Sequence, residues 1–111
     1  MSRSDAHRLA DMLMAADEIA AIVRRGRHAF DSDVVLRRAV ERCLEIIGEA
    51  SKAVSPALTE AHPEIPWSDM AKIRDRLSHH YHRVDPSQLW IIAAHDVPAT
   101  SELLRRIEVA D

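Results

Sequence analysis

The chain is predicted to fold as an all-α, up-and-down four-helix bundle with one extra short helix. Three observations carry that prediction. Apolar residues recur at steps of three and four over long stretches. The composition favours helix, being rich in Ala, Leu, Ile, Arg and Glu, with only two Gly and 4% aromatic residues. Capping residues and prolines punctuate the apolar stretches at helix-start positions. With 111 residues, the chain reads as one domain, 1–111. Its core is small, so pairing with a second copy is a natural way to bury more surface.

The first helix takes Ser4 or Asp5 as its cap and runs to about Arg25, with Leu9, Met12, Ala16, Ile19 and Val23 on one face. Gly26 is its stop signal, and Arg24 and Arg25 suit the dipole of the last turn. Asp31, Ser32 and Asp33 offer caps for a second, longer helix to about Val54. Its stripe is Leu36, Val40, Cys43, Ile47, Ala50 and Val54, the seam of a bundle. Gly48 lies inside that helix at an intrinsic cost of ~1 kcal/mol relative to Ala. A close helix crossing would account for it; the alternative is a tolerated glycine with no role.

Ser55 and Pro56 open a short third helix ending near Ala61. Residues 62–66, with two prolines, are expected to be an extended connector. Trp67 and Ser68 lead into a fourth helix through about His80, with Met70, Ile73 and Leu77 inward. Asp85 then caps, Pro86 suits a first turn, and Gln88 falls three residues after Asp85 as in a capping box. The last helix runs from Pro86 to about Val109, with Leu89, Ile92, Ala93, Leu103, Leu104 and Ile107 apolar. Pro98 is expected to kink or break it near Val97.

Net charge is -3 with neutral histidines, and the isoelectric point is near 6.1. This argues against extended, non-specific nucleic-acid binding. It leaves room for a local basic site, and one is visible: Lys72, Arg74, Arg76 and Arg83, with His79, His80 and His82 among them. The lone Cys43 has no internal disulfide partner, which fits a reducing compartment, and it reads as a core residue. No secretory leader is apparent, and no apolar run approaches the ~18 residues of a membrane span. The expectation is a cytoplasmic protein with no membrane contact.

Residues 74 to 81 carry most of the chemistry. They read Arg, four residues, His, one residue, Tyr. An arginine can grip a phosphate through two hydrogen bonds, and a histidine can give or take a proton near neutral pH. On a helix Arg74 and Tyr81 share a face, while Asp75 and His79 are neighbours one turn apart. Arg74 and His79 are ~140° apart on an ideal helix. A long Arg stem, a helix that frays near His79, or a second subunit would have to bring them together.

Two blander readings stand beside this one. Histidines are favoured at helix C-termini by the dipole, with Arg74 and Arg76 then solvated or paired with acidic neighbours. Alternatively, Asp75, His79 and His82 converge on one face as metal ligands, although there is no Cys pair and no HExxH. No Gly-rich phosphate loop and no GxSxG occur. His7, His28, His62 and His95 are scattered and read as surface or capping residues.

The segment Arg74 to Tyr81 resembles the Arg-x4-His-x-Tyr motif of the HepT family, small helical proteins of the HEPN superfamily. The likeness extends to Glu45-Ile46-Ile47-Gly48-Glu49-Ala50, to Pro63-Glu64-Ile65-Pro66-Trp67, and to Val84-Asp85 with Trp90, in order and spacing. It spans about residues 5 to 108. The resemblance implies the toxin of a bacterial toxin–antitoxin pair, a metal-independent endoribonuclease with no cofactor. It implies as partner an MntA-type minimal nucleotidyltransferase antitoxin, which transfers AMP onto Tyr81. It also implies a homodimer whose two motifs face each other across a cleft.

In the chemistry so implied, the ribose 2′-OH attacks the adjacent phosphate, His79 moves the proton and Arg74 stabilises the developing charge. Asp75 supports by orienting His79, and Arg76 and Arg83 add RNA phosphate contacts. His80 departs from the small residue common between the motif His and Tyr. With His82, it bears on the pH optimum. The acidic balance favours a structured, locally bound RNA such as tRNA over long mRNA. The competing reading is a non-catalytic substrate- or nucleotide-binding subunit of a two-component nucleotidyltransferase.

Overall fold

The computed structural model describes residues 4–79 and 85–108, and every element among them is helical. Helix α1, Asp5–Val23, starts where Ser4 Oγ accepts a hydrogen bond from the His7 backbone N–H at 3.3 Å. Leu9, Met12, Ala16 and Ile19 are buried along it, as their spacing predicts. Asp5 is buried too. Its carboxylate accepts from the Ser55 backbone N–H at 2.9 Å and from Ser55 Oγ at 2.6 Å, tying the start of α1 to a turn 50 residues away. The helix stops earlier than Arg25. Gly26 reverses the chain at φ 95°, a conformation cheap only for glycine, so Arg24 and Arg25 lie past the last turn.

A short helix α2, Arg27–Ser32, was not anticipated, and the bundle therefore carries two short helices beyond its long ones. Asp31 and Ser32, expected as caps, lie within it. Tertiary contacts hold this element. Phe30 is fully buried against Trp90, with ring centroids 5.2 Å apart. Arg27 lies over the Trp90 ring and donates to Ser87 Oγ at 3.1 Å. Asp33 is the cap of the next helix, accepting from the Val35 N–H at 2.9 Å.

Helix α3, Val34–Ala53, is the centre of the molecule and packs most extensively on α1 and on α5, Trp67–His79. Cys43 belongs to its core face, as expected. Burial, reinforced by the Glu18 carboxylate that accepts from its Sγ at 3.3 Å, pushes the thiol up to about 12. Helix α4, Pro56–Ala61, is capped by Ser55 Oγ, which accepts from the Leu58 N–H. The connector 62–66 is a turn and not an extended strand-like segment. Ile65 is buried, its N–H donates to the His62 carbonyl at 3.2 Å, and Trp67 Nε1 donates to that same carbonyl at 3.0 Å. Burying Ile65 draws the prolines into a bend.

Asp85 caps α6, Pro86–Ile91, through the Ser87 N–H. A π-helical turn, Ile92–Asp96, follows, and then α7, Val97–Arg105. Pro98 does not break this helix: Asp96 and Val97 keep right-handed helical dihedrals. Proline has no N–H and its ring crowds the carbonyl four residues earlier. The wide turn, in which the Val97 N–H donates to the Ile92 carbonyl five residues back, relieves that crowding. The helix ends at Arg105, short of the expected end; Val109 lies outside the described residues. Among the described residues no helix is long and apolar enough to cross a membrane.

Gly48 sits at the crossing of α3 and α5. A Cβ built there would lie 2.1 Å from Arg74 Cβ and 2.8 Å from the Met70 carbonyl oxygen. The glycine is a requirement of the crossing and not a tolerated gap. Gly48→Ala is therefore expected to destabilise the fold by about 1–3 kcal/mol, the range for overpacking a filled core. Urea unfolding of the variant beside the wild type checks this, and a stability within 0.5 kcal/mol of wild type would contradict it.

Candidate active site

The crossing at Gly48 brings two helix faces together. From α5 come Arg74 and Asp75, and from α3 come Glu45 and Lys52, about one helical turn to either side of Gly48, and Glu49, the residue next to it. Arg74 is buried at its base and open at its tip: its side chain is 25% exposed, and Nε is buried with no hydrogen-bond partner among the described residues.

The guanidinium contacts are long. Nη1 is 3.3 Å from Asp75 Oδ1, and Nη2 is 3.8 Å from Glu49 Oε1. Arg42 Nη1 lies 4.0 Å from that same Glu49 oxygen. Lys52 Nζ makes the shortest contact of the group, 2.9 Å to Asp75 Oδ1. The charges therefore alternate from Arg42 through Glu49, Arg74 and Asp75 to Lys52. One turn further on, Ser78 Oγ donates to Glu45 Oε2 at 3.2 Å.

Electrostatics follow from this arrangement. The Lys52 ammonium hydrogen-bonded to Asp75 is the main force holding that carboxyl below the usual aspartate range. Partial burial opposes it, and the Arg74 guanidinium adds to it. The carboxylate thus stays ionised further into acid than an unpaired aspartate would. What it contributes to stability is present above the unfolded-state value and is lost as pH falls through the lower folded-state value.

The structure brings Arg74 and Asp75 together, as their adjacency required. His79 is the last residue of α5, one turn beyond Asp75, but its side chain lies outside the described set. His80, Tyr81, His82 and Arg83 also lie outside the described residues. Arg76 points elsewhere. It borders a narrow gap with Leu77, Leu89 and Ile92, on the α6 side of the helix. Among the described residues no group of three or more His, Cys, Asp or Glu is placed to hold a metal ion. Sequence reading missed Lys52 and Glu49. The signal for Lys52 was Gly48, since a residue one turn from a crossing glycine faces the helix that crosses; Glu49, next to the glycine, carried no such signal.

A second concavity, a cleft of about 470 Å³, opens between α5 and α7 over Met12, Leu44, Met70 and Leu104. Its charged lining residues are Glu64, Asp69 and Asp96, all acidic, so it repels a phosphate. The α3–α5 crossing, unlike this cleft, has cations among its charged groups.

The profile of the family described as "Ribonuclease HepT-like" matches residues 12–107. The chain is 41% identical over 100 residues to a protein of Thermococcus cleftensis named "Probable ribonuclease HepT", covering 89% of this chain and 91% of that one. It is 33% identical over 100 residues to a Methanocaldococcus jannaschii protein whose name puts it forward as an RNase, covering 89% and 83%. A Caldanaerobacter subterraneus protein, also put forward by name as an RNase, is 37% identical over 78 residues, covering 70% of each chain. No solved structure matches the chain.

The Lys52–Asp75 contact is open to direct test. In an NMR pH titration the Asp75 carboxyl is expected to titrate below the usual aspartate range, and to move up toward it in Lys52→Met. An unchanged midpoint in the variant would assign the depression to another group.

Proposed function

The chain belongs to the HepT-like ribonuclease family, and from that membership we propose that it is a metal-independent endoribonuclease acting as the toxin of a toxin–antitoxin pair. The observation that carries this reading is Arg74. Its stem is pinned over Gly48, while its guanidinium tip reaches solvent and is only loosely engaged. A fixed cation held on a rigid helix crossing, with incomplete contacts of its own, suits a phosphate in a strained transition state.

The reaction then follows from the groups present. The 2′-OH of a ribose attacks the neighbouring phosphorus and the 5′-oxygen leaves. His79 takes or returns the proton, and Arg74 holds the non-bridging oxygens as charge builds. A substrate without a 2′-OH cannot take this path, so RNA is cut and DNA is not. Arg83 adds a phosphate contact beyond the motif. Arg76, on the far side of α5 from Arg74, serves a phosphate further along the strand or none.

Control of the toxin rests on Tyr81. AMP placed there by an MntA-type nucleotidyltransferase adds bulk and negative charge beside Arg74 and His79, opposing RNA on both counts. The protein works as a homodimer in the cytoplasm, as a single functional domain. Its acidic body favours a structured RNA such as tRNA, gripped locally.

The experiment is cleavage of total cellular RNA by purified, unmodified protein in EDTA, with Arg74→Ala and His79→Ala beside it. Cleavage is expected to survive EDTA and to fall by about 10²-fold or more in each variant. Protein shown by mass to lack AMP on Tyr81 that still cuts nothing would overturn the enzyme reading. It would favour a non-catalytic subunit that presents a nucleotide or substrate to its nucleotidyltransferase partner.

A further inference from the structure

The carboxylates around Arg74 pose a problem for any reading in which it binds RNA. A guanidinium that already faces two carboxylates is a poor phosphate site, because both compete for the same donors. The geometry of the α3–α5 crossing shows how the competition is kept weak. Asp75 lies closest to Arg74 in sequence, yet its Oδ1 sits nearer to Lys52, at 2.9 Å, than to Arg74 Nη1, at 3.3 Å. Glu49 stands 3.8 Å from Nη2, beyond hydrogen-bond length, and is 49% exposed. The same Glu49 oxygen has a second cation at 4.0 Å, Arg42, which is itself largely exposed. Moving Glu49 off Arg74 therefore strands no buried charge and leaves it a partner.

We propose that Glu49 is a displaceable internal counter-ion of Arg74, occupying the guanidinium edge that an RNA phosphate takes, and that Lys52 is a positioning residue that draws Asp75 away from that edge. The proposal rests on the phosphate-binding reading of Arg74 given above and adds two residues to it. In the free protein Glu49 shields a cation on an acidic body. When RNA arrives, phosphate replaces Glu49, which turns to Arg42, while Lys52 keeps the remaining carboxylate from following. The binding site is thus tuned by residues on α3 that need not touch the RNA.

The test measures binding apart from cutting. The probe is a fluorescent 2′-O-methyl RNA oligonucleotide, which lacks the attacking hydroxyl, titrated with wild-type dimer or monomer as it purifies, at fixed salt. Glu49→Gln is expected to tighten binding about fivefold, the scale of one partly exposed charge pair. That gain should disappear when Glu49→Gln is made together with Arg74→Ala. Lys52→Met should weaken binding, Lys52→Arg should restore it, and the loss should shrink in the Asp75→Asn background.

Tightening of equal size with and without Arg74 would mean that Glu49 acts only through net charge, and would overturn the proposal. So would no change in Glu49→Gln, or a wild type that shows no Arg74-dependent binding. A Lys52→Met loss undiminished by Asp75→Asn would overturn the positioning role by making Lys52 a direct phosphate contact. Failure of the enzyme reading looks different: Arg74-dependent binding of the probe with no cleavage of ordinary RNA.

Discussion

The close approach of α3 and α5 at Gly48 is the constraint on which the site depends. With Arg74 Cβ lying where a Gly48 side chain would be, the two backbones are held nearer than ordinary side chains permit. The consequence is mechanical. The first atoms of the Arg74 side chain are locked between helices, and only the distal guanidinium is free to meet solvent. A functional cation gains from such support, because less of its motion must be frozen when it binds. The intrinsic helix cost of a buried glycine is offset at the crossing it allows.

Most of the bundle was legible in the sequence because long amphipathic helices write their core at steps of three and four. The stripes through Leu9, Met12, Ile19 and through Val40, Cys43, Ile47 are the buried ones. Two of the misreadings share a cause. Helix α2 has too few residues to show a period, and it exists because Phe30 and Arg27 find Trp90 from a distant part of the chain. The connector 62–66 bends because Ile65 has a core to enter. Pro98 disturbs the helix next to Val97, where its position predicts, but through a π turn and not a break. For α2 and the connector, a tertiary contact overrode a local preference.

The site divides along the same line. Arg74 and Asp75 were legible as a motif, since their spacing sits on one helix. Glu49 and Lys52 were not, because what makes them matter is the register of α3 against α5. Composition also concealed the site: a net charge of -3 describes the whole surface and not the few ångströms around one guanidinium. Around that guanidinium, carboxylates alternate with cations, Glu49 between Arg42 and Arg74 and Asp75 between Arg74 and Lys52.

The angle between Arg74 and His79 bears on how the proposed chemistry is completed. Three ways of closing ~140° were open: a long Arg stem, a frayed helix, or a second subunit. Helix α5 continues to His79, so fraying before the histidine does not close it. The Arg74 stem is committed to the α3 side by its packing over Gly48 and by its contact with Glu49, so the stem cannot swing round the helix freely. Of the three, a second copy of the chain, as in the proposed homodimer, is the one that this packing leaves open. The crossing that fixes Arg74 thus ties the proposed chemistry to the proposed dimer.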